Sequence, residues 1–202
     1  MQRTTFRLFA ALAGIVLAAS AGLAQETLRV RGLIERIDGD VYVIRSREGQ
    51  ELKVKLAPGG GVSVTTKASL ADIKPGSYIG VSGLPQPDGS QRAVSVHIFH
   101  ESMRGLAEGH GPWDLVPQST MTNATVESTV ASVDGQTIVL KYKDGEKKIV
   151  VPPGLGIVNY VPGDIADLKA GASVFIGSAA RQPDGSLLAR RIGVGRDVPP
   201  PM

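Results

Sequence analysis

Gln86-Pro87-Asp88-Gly89-Ser90 and Gln182-Pro183-Asp184-Gly185-Ser186 are the same five residues, 96 positions apart. The run is turn chemistry. Proline presets its own φ, glycine takes a positive φ at no steric cost, and the short aspartate side chain bonds back to nearby backbone. The likeness extends outward from this pair. Ala93 and Ala189 follow at matching places. Leu70-Ala71-Asp72-Ile73-Lys74-Pro75-Gly76 precedes the first run and Ile165-Ala166-Asp167-Leu168-Lys169-Ala170-Gly171 the second. Further upstream, Glu35-Arg36-Ile37-Asp38-Gly39 is echoed by Ala131-Ser132-Val133-Asp134-Gly135, and Glu48-Gly49 by Asp144-Gly145. Ordered matches at spacings of 95 or 96 mark two copies of one unit of about 70 residues, too few copies for a solenoid.

Within each copy the apolar period is two, the period of a strand. Val41 and Val43 alternate with Tyr42 and Ile44, and Leu52, Val54 and Leu56 with Lys53 and Lys55. In the second copy, Ile149 and Val151 match Leu52 and Val54 only after a one-residue slip. A slip reverses a strand's faces, so that register stays open. The fourth strand reads Ile79/Val81 and Val174/Ile176. The fifth reads Val94/Val96/Ile98 against Arg190/Ile192/Val194. Between the third and fourth, residues 68–74 (with Ser69 as cap) and 163–169 predict short helical turns ending at Gly76 and Gly171. Gly59-Gly60-Gly61 and Gly193-Val194-Gly195 read as flexible turns, because neither carries the lysine and helix of a phosphate loop.

The order strand, strand, strand, helical turn, strand, strand is that of the OB-fold, a small barrel of five strands. Each copy resembles the uncharacterised OB-like domains of exported bacterial proteins, which share turn glycines and core aliphatics around a Pro-Asp-Gly-Ser turn. That resemblance implies a fold and carries no activity over, since fold alone does not settle function. The expectation is an all-β chain of two tandem five-stranded OB-like barrels, residues 25–98 and 124–195. Residues 99–123 join them and a loose tail follows at 196–202.

Arg3 and Arg7, the apolar run Leu8 to Ala19 and the small residues after it have the pattern of a secretory signal peptide over residues 1–24, with cleavage after Ala21 or Ala24. The run is too short to span a bilayer, which needs about 20 residues, and no second stretch qualifies. The expected location is periplasmic or secreted. Removing Arg3 and Arg7 leaves 20 basic against 19 acidic residues, so the basic balance of the whole chain is mostly its leader. A near-neutral mature chain lacks the basic stripe of a nucleic-acid binder. Without cysteine there is no disulfide framework, thiolate metal site or cysteine nucleophile.

Chemistry concentrates in the unrepeated stretch 97–123. It holds all three histidines, the only tryptophan and two of the four methionines. A connection this long is functional, packed or disordered. Trp113 beside Pro112 argues for packing, with Trp113 and Phe99 as interaction residues. His97, His100, Met103 and His110, with Met121 beyond them, are soft donors of the kind that hold copper or zinc. Their spacing fixes no common coordination sphere. No Gly-x-Ser-x-Gly elbow or other nucleophile–base pair stands out, so no enzyme is expected. The reading that follows is an exported binding or interaction protein of the cell envelope, with an unknown protein or envelope ligand as partner. The alternative is a periplasmic metal-binding or metal-transport accessory.

Overall fold

The computed structural model describes residues 26–132 and 135–201; the signal peptide expected over residues 1–24 lies outside them. The chain is all-β. Its strands are β1 (Thr27–Asp38), β2 (Val41–Ser46), β3 (Glu51–Ala68), β4 (Tyr78–Pro85), β5 (Gln91–Phe99), β6 (Gly109–Pro112), β7 (Thr120–Ser132), β8 (Gly135–Tyr142), β9 (Gly145–Val151), β10 (Ile157–Pro162), β11 (Ser173–Arg181) and β12 (Leu187–Gly195). Single 3-10 turns at Leu70–Asp72, Glu101–Met103 and Ile165–Asp167 complete the described elements. None of these is long and apolar enough to cross a membrane.

Five strands close into a barrel in the order β1-β2-β3-β12-β11, with β11 returning to β1. Only the β3–β12 seam is parallel. A second ring runs β7-β8-β9-β5-β4 and closes where β4 pairs with β7; its β9–β5 seam is two residue pairs, Gln91 with Ile149 and Arg92 with Val150. Each ring therefore takes three strands from one copy and two from the other. This departs from the expected layout, in which each copy closes on its own strands. The physical reason lies in β3. It runs 18 residues, about 60 Å, carrying the chain out of the first ring instead of folding back across it.

The crossing is symmetric. β3 and β10 lie antiparallel, pairing Val64 with Val161 and Thr65 with Tyr160, so each residue meets the neighbour of its own equivalent 96 positions away. Gly59–Gly61, expected as a flexible turn, lies inside β3. Gly59 takes a φ of +71°. Four residues, Ala57–Gly60, bulge there opposite the single Arg190. A Cβ on Gly60 would stand 2.8 Å from Ala57 O, which is too close for any other residue. In the second copy Pro153-Gly154 makes the same kink, with a φ of +74°, between β9 and β10. The other expected turn, Gly193-Val194-Gly195, is likewise the end of a strand, β12.

Each ring has its own core. Val30, Ile34, Ile44, Val54, Val174, Ile176 and Ile192 fill the first, and Ile79, Val81, Val96, Val126, Ile138, Leu140 and Ile149 the second. Each such side chain contributes roughly 1.5–3 kcal/mol by leaving water. The segments after the 3-10 turns cross over too: Ile73 packs into the second core and Leu168 into the first. The tail is not loose over its described length. Thr65 Oγ1 donates to Val198 O at 2.6 Å, and Pro200 is buried.

Candidate binding site

The unrepeated segment is tied to the first barrel by one compact contact. Arg29 and Arg31 stand two apart on β1 and so share a face. Asp114 accepts from both, at 2.8 Å from Arg29 Nη1 and 2.7 Å from Arg31 Nη2. The Arg29 guanidinium lies 3.8 Å from the centre of the Trp113 ring, a cation–π contact. Phe175 of β11 meets Trp113 edge-on at 6.3 Å and lies under Arg31. Partial burial pushes the Asp114 carboxyl up, but the hydrogen bonds from Arg31 and Arg29 outweigh it and hold the group down at about 2. Trp113 is thus held by charge on one side and by an aromatic edge on the other.

Having been pinned there, the segment walls a cleft of about 550 Å³. The cleft is lined by Ala107 to Trp113 together with Met121, Asn123, Tyr142 and Asp144. β6 lies in this wall, pairing only with β7 among the described residues. The Glu108 carboxylate ties the wall to the β8–β9 turn by accepting from Lys143 N at 3.0 Å. A smaller depression of about 310 Å³ lies beside Gln86–Ser90 and Arg92. It is made mostly by the duplicated turn, whereas most of the larger cleft's lining, Ala107 to Trp113 with Met121 and Asn123, comes from the unrepeated stretch.

His110 lines this cleft and sits at the end of a hydrogen-bond chain. Its Nδ1 is 2.8 Å from Thr122 Oγ1. The Thr122 hydroxyl donates to Gln91 Oε1 at 2.9 Å, and Gln91 Nε2 donates to Thr120 O at 2.8 Å and to Thr120 Oγ1 at 2.9 Å. The backbone carbonyl of Thr120 can only accept, which fixes the Gln91 amide and, through it, the direction of the Thr122 hydroxyl. With that proton spent on Gln91, Thr122 Oγ1 must accept from His110, so the imidazole carries its proton on Nδ1. Burial, with a lesser contribution from Lys147, lowers the His110 pKa and favours this neutral form.

The remaining histidines stand elsewhere. His97 is buried on β5, with Phe99 and Tyr160 edge-on at 4.7 and 5.0 Å. Burial pushes its pKa down to about 3. Exposed His100 caps the 3-10 turn, its Nδ1 accepting from Ser102 N at 3.2 Å. Met103 is buried with Phe99, Val158, Tyr160 and Val198. Met121 lines the cleft, but it pairs with Gly111 while His110 pairs with Thr122, so their side chains leave opposite faces of the sheet. Among the described residues no three His, Asp or Glu side chains are grouped to hold a metal ion.

Sequence reading missed Thr122, Gln91 and the two arginines. Strand threonines and a strand glutamine give no signal of their own, and Arg31 lies 83 residues from its partner. The glycosylation-type run Asn123-Ala124-Thr125 lies in β7, and Asn123 is buried, its Nδ2 donating to Ala107 O at 3.1 Å. No family model, curated protein or solved structure matches the chain.

Proposed function

We propose that the chain is an exported, non-catalytic binding protein of the bacterial cell envelope, built by duplication of an OB-like unit whose copies trade their fourth and fifth strands. The strand order 1-2-3-5-4 in each ring, with strands three and five parallel, supports the OB-like reading. The observation that carries the binding reading is the clamped segment. The connecting segment between the copies is held by Trp113 and Asp114, and it walls the larger of the two concave sites described above. Preorganised walls of this kind lower the ordering cost of binding.

The single tryptophan makes the test direct. Signal-processed protein is titrated with separated protein, glycan and lipid fractions of the host envelope while Trp113 emission is followed. One fraction should shift the emission saturably and be recovered chemically unchanged. Turnover of the bound material, or binding that leaves Trp113 emission and cleft hydrogen exchange untouched, would overturn the reading. So would the absence of binding by every fraction.

A further inference from the structure

We propose that the outer face of β12, β3, β10 and β5 is a recognition groove for a proline-rich, extended segment of a partner protein, and that residues 196–201 of this chain lie in it as a tethered competitor. None of the residues that form the groove lines the cleft, so neither site depends on the other.

The groove begins with a loss of side chains. β5 ends His97-Ile98-Phe99, and the matching end of β12, 96 positions on, reads Gly193-Val194-Gly195. Ile98 and Val194 pack into the two cores, so the alternate positions face outward. On β5 those positions carry two rings; on β12 they are bare. Gly195 pairs with Thr65, Thr65 with Tyr160 and Tyr160 with Phe99, one row across four strands. Met103 and Val158 join Tyr160 and Phe99 in a small apolar cluster beside it.

Residues after β12 fill the bare end of that row. A Cβ on Gly195 would stand 2.9 Å from Val198 O and from Pro199 Cα, and 3.1 Å from Pro200 Cδ. Val198 packs on the cluster of Met103, Val158 and Tyr160, and Pro200 is buried. Thr65, itself fully buried, donates from Oγ1 to Val198 O at 2.6 Å. These are the contacts a proline-rich segment can use. Prolines have no N–H to give, and they hold both themselves and the residue before them extended, so recognition falls to a carbonyl oxygen and to ring surface. An apolar, aromatic floor with one buried hydroxyl donor meets both needs. The flanking contacts act as the tether: Arg196 Nη2 lies 2.9 Å from Asp167 Oδ1, and the N–H groups of Arg196 and Asp197 reach Thr65 O at 3.3 and 3.4 Å.

A segment on so short a tether has an effective concentration on the order of millimolar, which an incoming segment must overcome. The test uses the full chain with Val198→Ser, Pro199→Gly, Pro200→Ser and Pro201→Gly, which empties the groove and keeps the chain length. The probe is a blocked octapeptide carrying Val-Pro-Pro-Pro between Gly-Ser ends, followed by NMR of the Thr65 methyl and the Tyr160 ring. It should bind the emptied variant saturably, and the parent about tenfold more weakly because the tethered segment competes. Alanine in place of the probe's three prolines should cost about tenfold, through lost preorganisation. T65V in the emptied variant should cost about fivefold, the loss of one hydrogen bond, and T65S should not. The proposal is overturned if the folded, emptied variant binds no probe, if the alanine probe binds as well, or if parent and emptied variant bind alike. Should T65V fail to fold, the alanine probe still decides. Dimerisation of the parent that the emptied variant loses would assign the groove to a second copy of this chain and overturn the partner reading.

Discussion

Gly80 shows how closely the β4–β5–β7 surface is fitted. It pairs with His97 on one side and Asn123 on the other, and a Cβ there would overlap His97 Nε2 and crowd Asn123 Oδ1. Its missing side chain is what admits the imidazole, boxed in by Phe99 and Tyr160. Among the described residues His97 Nδ1 has no hydrogen-bond partner, so nothing offsets the cost of charging the ring. The sign of the consequence follows. The pKa falls from 6.5 unfolded to about 3 folded, so below pH 6.5 the unfolded chain takes up the proton first. Stability contributed by the neutral ring is complete above pH 6.5 and drains away as pH falls toward 3, at about 1.4 kcal/mol per pH unit. Urea unfolding at pH 7, 5.5 and 4.5 should show this slope in the parent and lose most of it in H97L, leaving a smaller share from His110. Parallel profiles for the two proteins would show that the ring accepts a proton inside the fold.

At the scale of elements, the Trp113–Asp114 clamp is a short bridge between β6 and the outer face of β1 and β11. Among the described residues Asp114 is the carboxylate that Arg29 and Arg31 share, and Arg31 is only 9% exposed. D114N would leave two adjacent guanidinium groups without their counter-charge. The cost is roughly 1–2 kcal/mol, below that of a fully buried pair because Asp114 itself is half exposed. The expected readout is a lower urea midpoint with a red shift of Trp113 emission, while the β4–β5 region keeps its hydrogen-exchange protection. An unmoved emission maximum would mean that the aromatic contacts hold Trp113 without the carboxylate.

Local pattern made much of this legible. The two Pro-Asp-Gly-Ser turns form the same bonds, Asp88 Oδ1 accepting from Ser90 N at 3.0 Å and Asp184 Oδ1 from Ser186 N at 2.9 Å. Ile79, Val81, Val174 and Ile176 are all fully buried, as their alternation requires. Alternation fails in the fifth strand because the pairing shifts between Ser82 and Gly83: Ala93 and Val96, three apart, both face the second core. The register does slip by one residue, but in the other direction: Val54 lies opposite Tyr42 and Leu52 opposite Ile44, while their counterparts Ile138 and Leu140 face Ile149 and Lys147, so Ile149 takes the place of Val54 and not of Leu52. What the pattern could not reveal is partner choice. The fourth and fifth strands of either copy offer equivalent apolar faces to either ring, so alternation alone does not say which ring they complete. The His110 chain was hidden for a similar reason, since Gln91, Thr120 and Thr122 meet only once β5 and β7 stand on either side of β4.

The exchange of strands governs how the molecule as a whole holds together. Neither copy can bury its apolar faces alone: β1, β2 and β3 need β11 and β12, while β4 and β5 need β7, β8 and β9. The connector enters the second ring through Thr120–Asn123, the start of β7, which pair with β4. Its contribution is to keep the two halves at high effective concentration, so that the distant β3–β12 pairing forms within one chain. A protease site inserted between Pro117 and Gln118, in the exposed turn before β7, would cut the chain into β1–β6 and β7–β12. The cleaved protein should migrate in gel filtration as one species of unchanged size and separate only in denaturant. Its melting temperature should become dependent on protein concentration, because unfolding now releases two chains. Two self-contained barrels would behave otherwise: the halves would part on the column, each would stay folded, and melting would not respond to dilution. A cleaved sample that resolves into two folded species would therefore disprove the exchange while leaving the all-β pattern of each copy intact.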